Sequence, residues 1–563
     1  MIVLGISAFY HDAAAAIVVD GVPIAFAEEE RFSRKKHTGE FPSQAISYCL
    51  SEAGLRSSDI DEVAFYFNPR LVYTSFLRDL PTLVARHGLR AAYQRGLWTA
   101  SFMREVDLLR HRLKYHRRIS WVDHHLAHAA YVYYLSPFDE SAILTMDSIG
   151  EKATTTIFRG MGHKLKAVDA IYDPHSLGYL YGAVTEHLGY KRGDGEGTVM
   201  ALAAYGDSST YDFSDILHIM PDGRFALNLR YVARRYAWPD GRRLTPHFEE
   251  RFGPPRRVDD PIEDRHRDLA CALQRRTEEA ILALARRAHR LTGSRNLCLA
   301  GGVALNSVAN YRVRNEIKEI NNLYIAPAAN DAGTALGAAL WIYAKNTGKR
   351  PWVPETTFLG PSYSNEDIRK TISIAGVPYR YIENPSLEAA TLLTKGKIIG
   401  WFQGRMESGP RALGHRSILA DPSVPGVKDR INALVKFREP FRPFAPSVLY
   451  EYQHEWFSCG STFLPYMLEV VSFLPGKAHR VNAVAHVDGT ARIQSIDKKD
   501  GMYYSLIKSF YAARRIPMIL NTSFNIKGEP IVCTPADAIK CFYSTGLDAL
   551  LIGNYLLEKS AFS

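Results

Sequence analysis

The sequence predicts an α/β protein of two domains, the first of them built from two similar halves. Three observations carry this. Apolar runs of strand length alternate with longer segments of helical period. Two stretches near the N-terminal end share one layout: three consecutive strands, the first ending in an acid or a histidine. A stretch rich in Pro, Gly and Thr, NTGKRPWVPETTFLGPSY at 347–364, then reads as a linker, after which the pattern restarts. The expected domains are 1–350 and 351–563.

The first repeated stretch is IVLGISAFYHDAAAAIVVDGVPIAFAEEE. Its first strand is expected to run to His11-Asp12, its second over Ala14–Val19 and its third over Val22–Glu28. The Asp20-Gly21 pair between β-rich runs is a hairpin signal. The second stretch, SAILTMDSIGEKATTTIFRGMGHKLKAVDAIY, repeats the layout with Asp147 at the end of its first strand and further strands at Thr154–Arg159 and around Leu165–Ile171. Two such ridges with polar tips facing each other suggest a nucleotide cleft between similar lobes.

Between them stands VDHHLAHAA, following the short apolar strand Ile119–Val122. His124 and His128 are four apart, so a helix puts both imidazoles on one face, where they can share a metal ion. The position after His124 is His125 rather than the Glu that a zinc protease needs as base. His125 itself points away from the shared face. A surface helix with incidental histidines is the other reading of the spacing.

Helices are expected at Leu177–Leu188 and Leu269–Leu291. Next comes the strand Asn296–Ala300, Gly301-Gly302 and a helix from Val303. Glycines between strand and helix let backbone N–H groups approach a phosphate or ribose. A strand at Leu323–Ala326 follows. Asp331 then stands just before an Ala/Gly-rich helix, as a cap or as a metal carboxylate.

The second domain is expected to hold helices at Asn365–Ala375 and Leu387–Leu393 and strands at Tyr379–Ile382, Ile398–Phe402 and Pro517–Leu520. Its loops concentrate cations. GRMESGPRALGHRS carries Arg405, Arg411 and Arg416; KFREPFRPFAPS carries Lys436, Arg438 and Arg442; DGTARIQS carries Arg492; and NTSFN begins at Asn521. Arginines on glycine-flexed loops at strand ends suit a bidentate clamp for a small phosphorylated anion.

Composition excludes several classes. The chain is 46% hydrophobic and 23% charged, and no apolar run approaches the ~20 residues that span a bilayer. The N-terminus has neither the basic region nor the small-residue cleavage site of a signal peptide. Six scattered cysteines without a CxxC pair fit a reducing cytosol better than a disulfide framework or a structural zinc site. The net charge of +10 is partly local. Between Leu77 and Arg118, ten Lys/Arg stand against three acids, interleaved with Leu, Trp98 and Phe102. This is an amphipathic basic helix pair, either a solvated face or a lid over an anionic or bulky substrate. No recognised nucleic-acid module is present.

HDAAAA, EEERFSRKKH, HHLAHAA, GPRALGHRSIL, RPFAPS and NTSFNIKGEPIV resemble the nodulation/antibiotic O-carbamoyltransferase family, from residue 1 to about residue 560. The resemblance implies an actin-like (RNase H-like, duplicated) ATPase fold for the first domain and a threonylcarbamoyl-adenylate-synthase-like α/β fold for the second. It implies carbamoyl phosphate and ATP as substrates of the second domain, carbamoyl adenylate as intermediate, and transfer in the first domain to a hydroxyl of a small natural product, as in antibiotic or glycoside tailoring. It makes His124, His128, Asp147 and Asp331 the ligands of Fe(II) or another divalent metal such as Mg or Mn. It places Gly301, Gly302 and Asn306 at the adenosine, and His11 beside the acceptor as the base. For carbamoyl phosphate it gives Arg411, Arg416, Lys436, Arg442, Arg492 and Asn521. The chain departs from the family in GDGEGTVMALAAYG, where Thr198 stands at a position often held by Lys, and Lys191 or Arg192 is the nearby replacement. A fused tRNA threonylcarbamoyl enzyme is the alternative, favoured slightly by the basic balance and opposed by the missing RNA module. The acceptor and the oligomeric state are not legible.

Overall fold

The computed structural model describes residues 1–233, 241–352, 354 and 356–559. The chain divides into two compact units. Unit 1 comprises Met1–Glu29 and His37–Glu355, and unit 2 comprises Glu30–Lys36 and Thr356–Ser563.

Unit 1 holds two five-stranded sheets of one design. In the first, β1 (Ile2–Ser7), β2 (Ala14–Val19) and β3 (Val22–Glu28) form an antiparallel meander. Alternative pairings are blocked by the Asp20-Gly21 turn, which fixes the register Val19↔Val22. Strands β4 (Glu62–Phe65) and β5 (Arg118–Trp121) then add in parallel beside β1, giving the order β3-β2-β1-β4-β5. In the second sheet, β6 (Glu140–Met146), β7 (Ala153–Met161) and β8 (Lys164–Tyr172) repeat the meander. After a small hairpin of β9 (Leu217–Ile219) and β10 (Phe225–Leu227), strands β11 (Asn296–Ala300) and β12 (Asn322–Ile325) add in parallel beside β6. The two sheets therefore share one strand order. This is the duplicated actin-like arrangement.

Two helices hold the sheets together. Helix His124–Leu135 leaves the first sheet after β5 but packs on β6 and β11 of the second; helix Gly333–Thr347 leaves the second after β12 but packs on β1 and β2 of the first. They also pack on each other. Both are apolar nearly all round, because each is covered on both sides. The crossing is close enough that a Cβ on Gly337 would stand 2.0 Å from the Ala127 carbonyl oxygen, so only glycine fits there.

The basic segment forms the expected helix pair. Helix Pro69–Asp107 bends sharply at Gly88 (φ 79°, ψ 173°) and is followed by the short helix Leu109–Leu113. Trp98 stacks on Phe102 at 5.7 Å, and Phe102 packs on Phe67 at 5.6 Å, tying the second half of the pair to the first sheet.

Unit 2 is built on one mixed sheet of eight strands. Its members are β13 (Arg380–Tyr381), β14 (Ile399–Phe402), β15 (Arg416–Ala420), β16 (Ala445–Leu449), β19 (Gln494–Ile496), β20 (Met518–Ser523), β21 (Ala549–Ile552) and β22 (Tyr555–Glu558), with β17 (Val470–Ser472) and β18 (Thr490–Arg492) forming a separate hairpin. The sheet order is β13-β22-β21-β14-β15-β20-β16-β19, and only β14–β21 and β16–β19 are parallel. Helix Pro385–Thr394 lies against helix Gly501–Arg514.

Three expectations are corrected. The expected division at 350/351 instead falls at 355/356, and unit 2 also takes Glu30–Lys36 from far upstream. That heptapeptide belongs there because buried Arg31 donates to the Gly409 carbonyl (2.7 Å), Arg34 donates to the carbonyls of Ile531 (2.7 Å) and Pro530 (2.8 Å), and Phe32 packs on Met406, Ala412, Ile531 and Cys533. The first strand ends at Ser7 rather than at His11-Asp12, since Phe9 and Asp12 take positive φ and leave the ladder. The helix expected from Val303 is a 3-10 turn, Gly302–Leu305; the α-helix Ser307–Glu316 starts only after Asn306, whose side chain caps it.

Candidate functional site

The parallel strands of each sheet end on the same edge, and the predicted residues of unit 1 follow those ends. His11 and Asp12 lie beyond β1, Asp147 beyond β6, Gly301 beyond β11 and Asp331 beyond β12. His124 opens the helix after β5. Strand ends of an open α/β sheet are where ligands bind.

The four predicted metal ligands converge. His128 Nε2 stands 3.0 Å from Asp147 Oδ2 and 3.4 Å from Asp331 Oδ1, and His124 Nε2 stands 3.5 and 3.7 Å from the same two atoms. One donor atom from each residue lies within 4.8 Å of every other. All four side chains are buried. The ring nitrogens of both histidines nevertheless make no hydrogen bond of good geometry. Buried polar atoms without partners are costly, and a divalent cation among these four would satisfy the two Nε2 atoms that face the carboxylates. The donor set of two imidazoles and two carboxylates fits such an ion.

Electrostatics in the cluster follow from its charges. Burial works against a proton on His128, but Asp147 and Asp331 hold its pKa up at about 9. Burial likewise works against charge on Asp147, yet His124 and His128 keep it well below the usual carboxylate range. His125 differs: burial and the neighbouring imidazoles push it down to about 3. Its Nε2–H donates to the Ala153 carbonyl (3.0 Å), leaving Nδ1 to accept from the Thr145 hydroxyl (2.7 Å). His125 is thus a neutral structural residue on the far side of the helix. Glu151, unforeseen in the sequence, accepts from the backbone N–H of His124 (3.0 Å) and of Asn68 (2.8 Å), which fixes where the His124 helix begins; burial pushes its carboxyl up to about 7.

His11 lies next to the cluster. Its Nδ1 faces Asp12 Oδ2 at 3.1 Å and its Nε2 faces Asp331 Oδ2 at 3.5 Å, with the side chain 40% exposed. Desolvation opposes its protonation, but Asp331 and Asp12 outweigh that and raise its pKa well above the ordinary value. Asp12 also receives bonds from His37 Nδ1 (2.7 Å) and Asn330 Nδ2 (3.0 Å), so its carboxylate is fixed from three sides.

The nucleotide residues separate into two kinds. Gly301 has φ 88°, and a Cβ there would stand 2.1 Å from the Met146 carbonyl oxygen, so the chain passes tightly over the end of β6. The Gly302 N–H points at Asp147 Oδ2, 3.4 Å away. Asn306 Oδ1 accepts from the Ala309 N–H and Gln274 Nε2, and its Nδ2 donates to Gln274 Oε1, so the amide is engaged within the protein. Thr198 is buried in the first turn of helix Glu196–Ala203. Arg192 stands 3.9 Å from Glu186.

In unit 2 the cations also separate. Four guanidinium groups gather, those of Arg411, Arg438, Arg442 and Arg492. Burial and the Arg442 charge bring Arg411 down to about 10; burial, Arg442 and Arg411 bring Arg438 to about 9; and burial with all three neighbours lowers Arg492 well below the ordinary value. The Nε atoms of Arg411 and Arg492 are buried without a hydrogen bond. Guanidinium groups that repel one another with donors left over are chemically suited to an anion. The loop carrying Arg411 is shaped by Glu407, which accepts from the N–H groups of Leu413 (2.8 Å) and Arg416 (3.1 Å). Asn521 lies beside this loop, donating to Ser447 Oγ (3.0 Å) and weakly to the Ala412 carbonyl (3.3 Å), with its Oδ1 left over.

Two expected anion ligands are corrected. Arg416 is wholly buried, donates to the carbonyls of Gln403 (2.7 Å), Pro361 (3.0 Å), His415 (3.1 Å) and Gly404 (3.2 Å), and lies 3.7 Å over the Phe402 ring. It knits the loop together. Lys436 directs its ammonium at the carbonyls of Ser523 (2.6 Å) and Asn525 (3.1 Å) and at Asn525 Oδ1 (2.6 Å), which pins the NTSFN turn. Arg438, in the motif but not assigned to the anion by the sequence, joins the cluster with part of its fork engaged: its Nε donates to Asn432 Oδ1 (2.8 Å) and a terminal nitrogen donates to the Pro443 carbonyl (3.3 Å).

Comparison with known proteins follows the same division. Residues 2–340 match the family described as Carbamoyltransferase N-terminus and residues 390–559 the family described as Carbamoyltransferase C-terminus. An uncharacterized protein of Synechocystis sp. is 40% identical, over 99% of this chain and 97% of its own length. Nodulation protein NolNO of Sinorhizobium fredii is 38% identical, over 98% of this chain and 79% of its own. The 3'-hydroxymethylcephem-O-carbamoyltransferase of Amycolatopsis lactamdurans is 29% identical over 65% of each. With both family halves present in order, and relatives aligning along almost its whole length, this chain belongs to the carbamoyltransferase family.

Proposed function

We propose that the chain is an ATP-dependent O-carbamoyltransferase that moves a carbamoyl group from carbamoyl phosphate, through carbamoyl adenylate, to a hydroxyl of a small natural product. The observation that carries this reading is the pairing, in one family-matched chain, of a guanidinium cluster in which the Nε atoms of Arg411 and Arg492 lack a partner with a separate His/Asp cluster suited to a divalent cation.

Arg411, Arg438, Arg442 and Arg492 hold the phosphate of carbamoyl phosphate and stabilise its charge as water releases carbamate and inorganic phosphate; a carbamate oxygen then bonds to the α-phosphorus of ATP and pyrophosphate leaves, giving carbamoyl adenylate. Asn521 orients the carbamoyl end. Carbamoyl adenylate is then used in unit 1, where the acceptor oxygen bonds to the carbamoyl carbon, the bond from that carbon to the adenylate oxygen breaks, and AMP leaves. His124, His128, Asp147 and Asp331 would hold the cation, with Fe(II) or Mn(II) suiting the donors best. Bound there, it supplies Lewis-acid stabilisation of phosphate oxygens. His11 takes the acceptor proton at Nε2, in the form whose Nδ1–H donates to Asp12. Because Asp331 otherwise keeps that ring protonated, the reading requires the Asp331 charge to be engaged at the same time.

The test uses the intact chain with ATP and carbamoyl phosphate and no acceptor, with detection by mass spectrometry. Carbamoyl adenylate is the expected product. A folded, metal-replete preparation that leaves ATP untouched overturns the proposal. Hydroxylated scaffolds are then screened for a carbamoyl mass gain.

A further inference from the structure

The helix pair at residues 69–113 lines a solvent-open groove of about 770 Å³ that plays no part in the chemistry above. Its walls are Tyr73 and Phe76 from the first half of helix Pro69–Asp107 and Gly96, Thr99, Ala100 and Met103 from the second. These last four recur at helical spacing on one face. The adjacent face, with Arg95, Trp98 and Phe102, is the one tied to Phe67 and Tyr10. The groove thus occupies a side of the helix that the core of unit 1 does not use.

Gly96 shows how the space is kept. It has no positive φ, and a Cβ there would meet only the Phe76 ring, at 3.5 and 3.9 Å, an ordinary contact. Neither backbone nor packing calls for glycine, which is a poor helix former. Its missing side chain leaves room for something else.

Charge and size select the occupant. Arg104, Asp107 and His111 complete the lining, in a stretch where ten Lys/Arg stand against three acids. A second copy of this chain, itself at +10, would bring like charge to like charge. A partner helix is ~10–12 Å across, while the volume falls within the ~300–1,000 Å³ of small-molecule sites. We propose that this groove binds an amphiphile, with an aliphatic or fused-ring body against Phe76, Ala100 and Met103 and an anionic head at Arg104 and His111.

The test measures binding of 8-anilino-1-naphthalenesulfonate by fluorescence, with saturating inorganic phosphate present to fill the arginine cluster of unit 2. Laurate is expected to displace the probe, lauryl alcohol to do so more weakly, and dodecylamine not at all. Gly96→Leu fills the groove with a better helix former, and should weaken laurate by at least about tenfold with circular dichroism unchanged. The double change Arg104→Gln and His111→Gln should weaken laurate while leaving lauryl alcohol as it was. Should Gly96→Leu not fold, photo-crosslinking of an azido-laurate to the wild type must label peptides within residues 73–111. Unaltered laurate binding by folded Gly96→Leu overturns the proposal, as does equal competition by the amine or labelling elsewhere. Sedimentation with phosphatidylglycerol vesicles that is abolished by Leu89→Glu but untouched by Gly96→Leu, without laurate binding, would replace the groove with a membrane-docking tip and also overturns it.

Discussion

Replacing Arg411 by Met should make the anion-free protein more stable, or leave it as stable, while removing its response to phosphate. The reasoning starts from the cluster. Burial and the Arg442 charge bring the Arg411 pKa down to about 10, roughly two powers of ten below an ordinary arginine. At ~1.4 kcal/mol per power of ten, keeping it charged costs about 3 kcal/mol. Partial solvent access screens this to about 1–2 kcal/mol. Methionine keeps most of the aliphatic stem and loses the charge. A ligand that binds only the folded form at a hundredfold excess over its Kd adds about 2.7 kcal/mol, so phosphate should stabilise the wild type and not Arg411→Met. The pH dependence has a fixed sign. Unfolded arginine keeps its proton where the folded cluster gives it up, so the unfolded state binds more protons above pH 9–10 and stability contributed by this group rises with pH there. Below that range the cost is fully present. Urea melts at pH 7.5 and pH 10, with and without inorganic phosphate, measure all of this. A loss of more than about 2 kcal/mol in anion-free Arg411→Met, or retained stabilisation by phosphate, would refute the account of a strained cation cluster.

Three other outcomes are expected. His128→Ala should lose bound divalent metal by elemental analysis and lose transfer to acceptor, while carbamoyl adenylate still forms; His125→Ala should keep its metal and lose about 1–3 kcal/mol in a melt, because only Thr145 and Ala153 lose a partner. Arg416→Lys should destabilise unit 2 by about 3–5 kcal/mol, since one ammonium cannot reach the carbonyls that the planar fork joins or stack on Phe402. Arg31→Ala should cost about 1–3 kcal/mol and raise amide exchange around Gly409, whose carbonyl would lose its buried donor.

The meanders of unit 1 were legible because their signals are local: the Asp20-Gly21 turn fixes one hairpin, and alternation fixes the strands on either side. The His124/His128 pair was legible for the same reason, since helical spacing alone places both imidazoles together. Asp331 stands about two hundred residues away and was found through resemblance. The arginines divide where locality ends. Nothing near Arg416 announces that the Pro361 carbonyl, 55 residues upstream, will take its proton donors, so a buried knitting residue looks the same as a ligand. The engagement of Asn306 by Gln274, one helix back, is equally silent in the local sequence. Arg438 carried no signal separating it from its neighbours, because mutual repulsion is a property of the assembled loops. The heptapeptide Glu30–Lys36 was invisible as a boundary, since it sits in sequence between a strand and a helix of the other unit.

That heptapeptide makes the chain pass from unit 1 to unit 2, back, and over again. On the ribosome, residues 30–36 emerge hundreds of residues before the strands that receive Arg31 and Arg34, and they must stay available until the last of those strands arrives. A gene fragment beginning at the linker would encode a C-terminal half with an unfilled slot beside its Gly409–Arg411 loop. Supplying ERFSRKK as a separate peptide should therefore rescue such a fragment in the manner of a split protein.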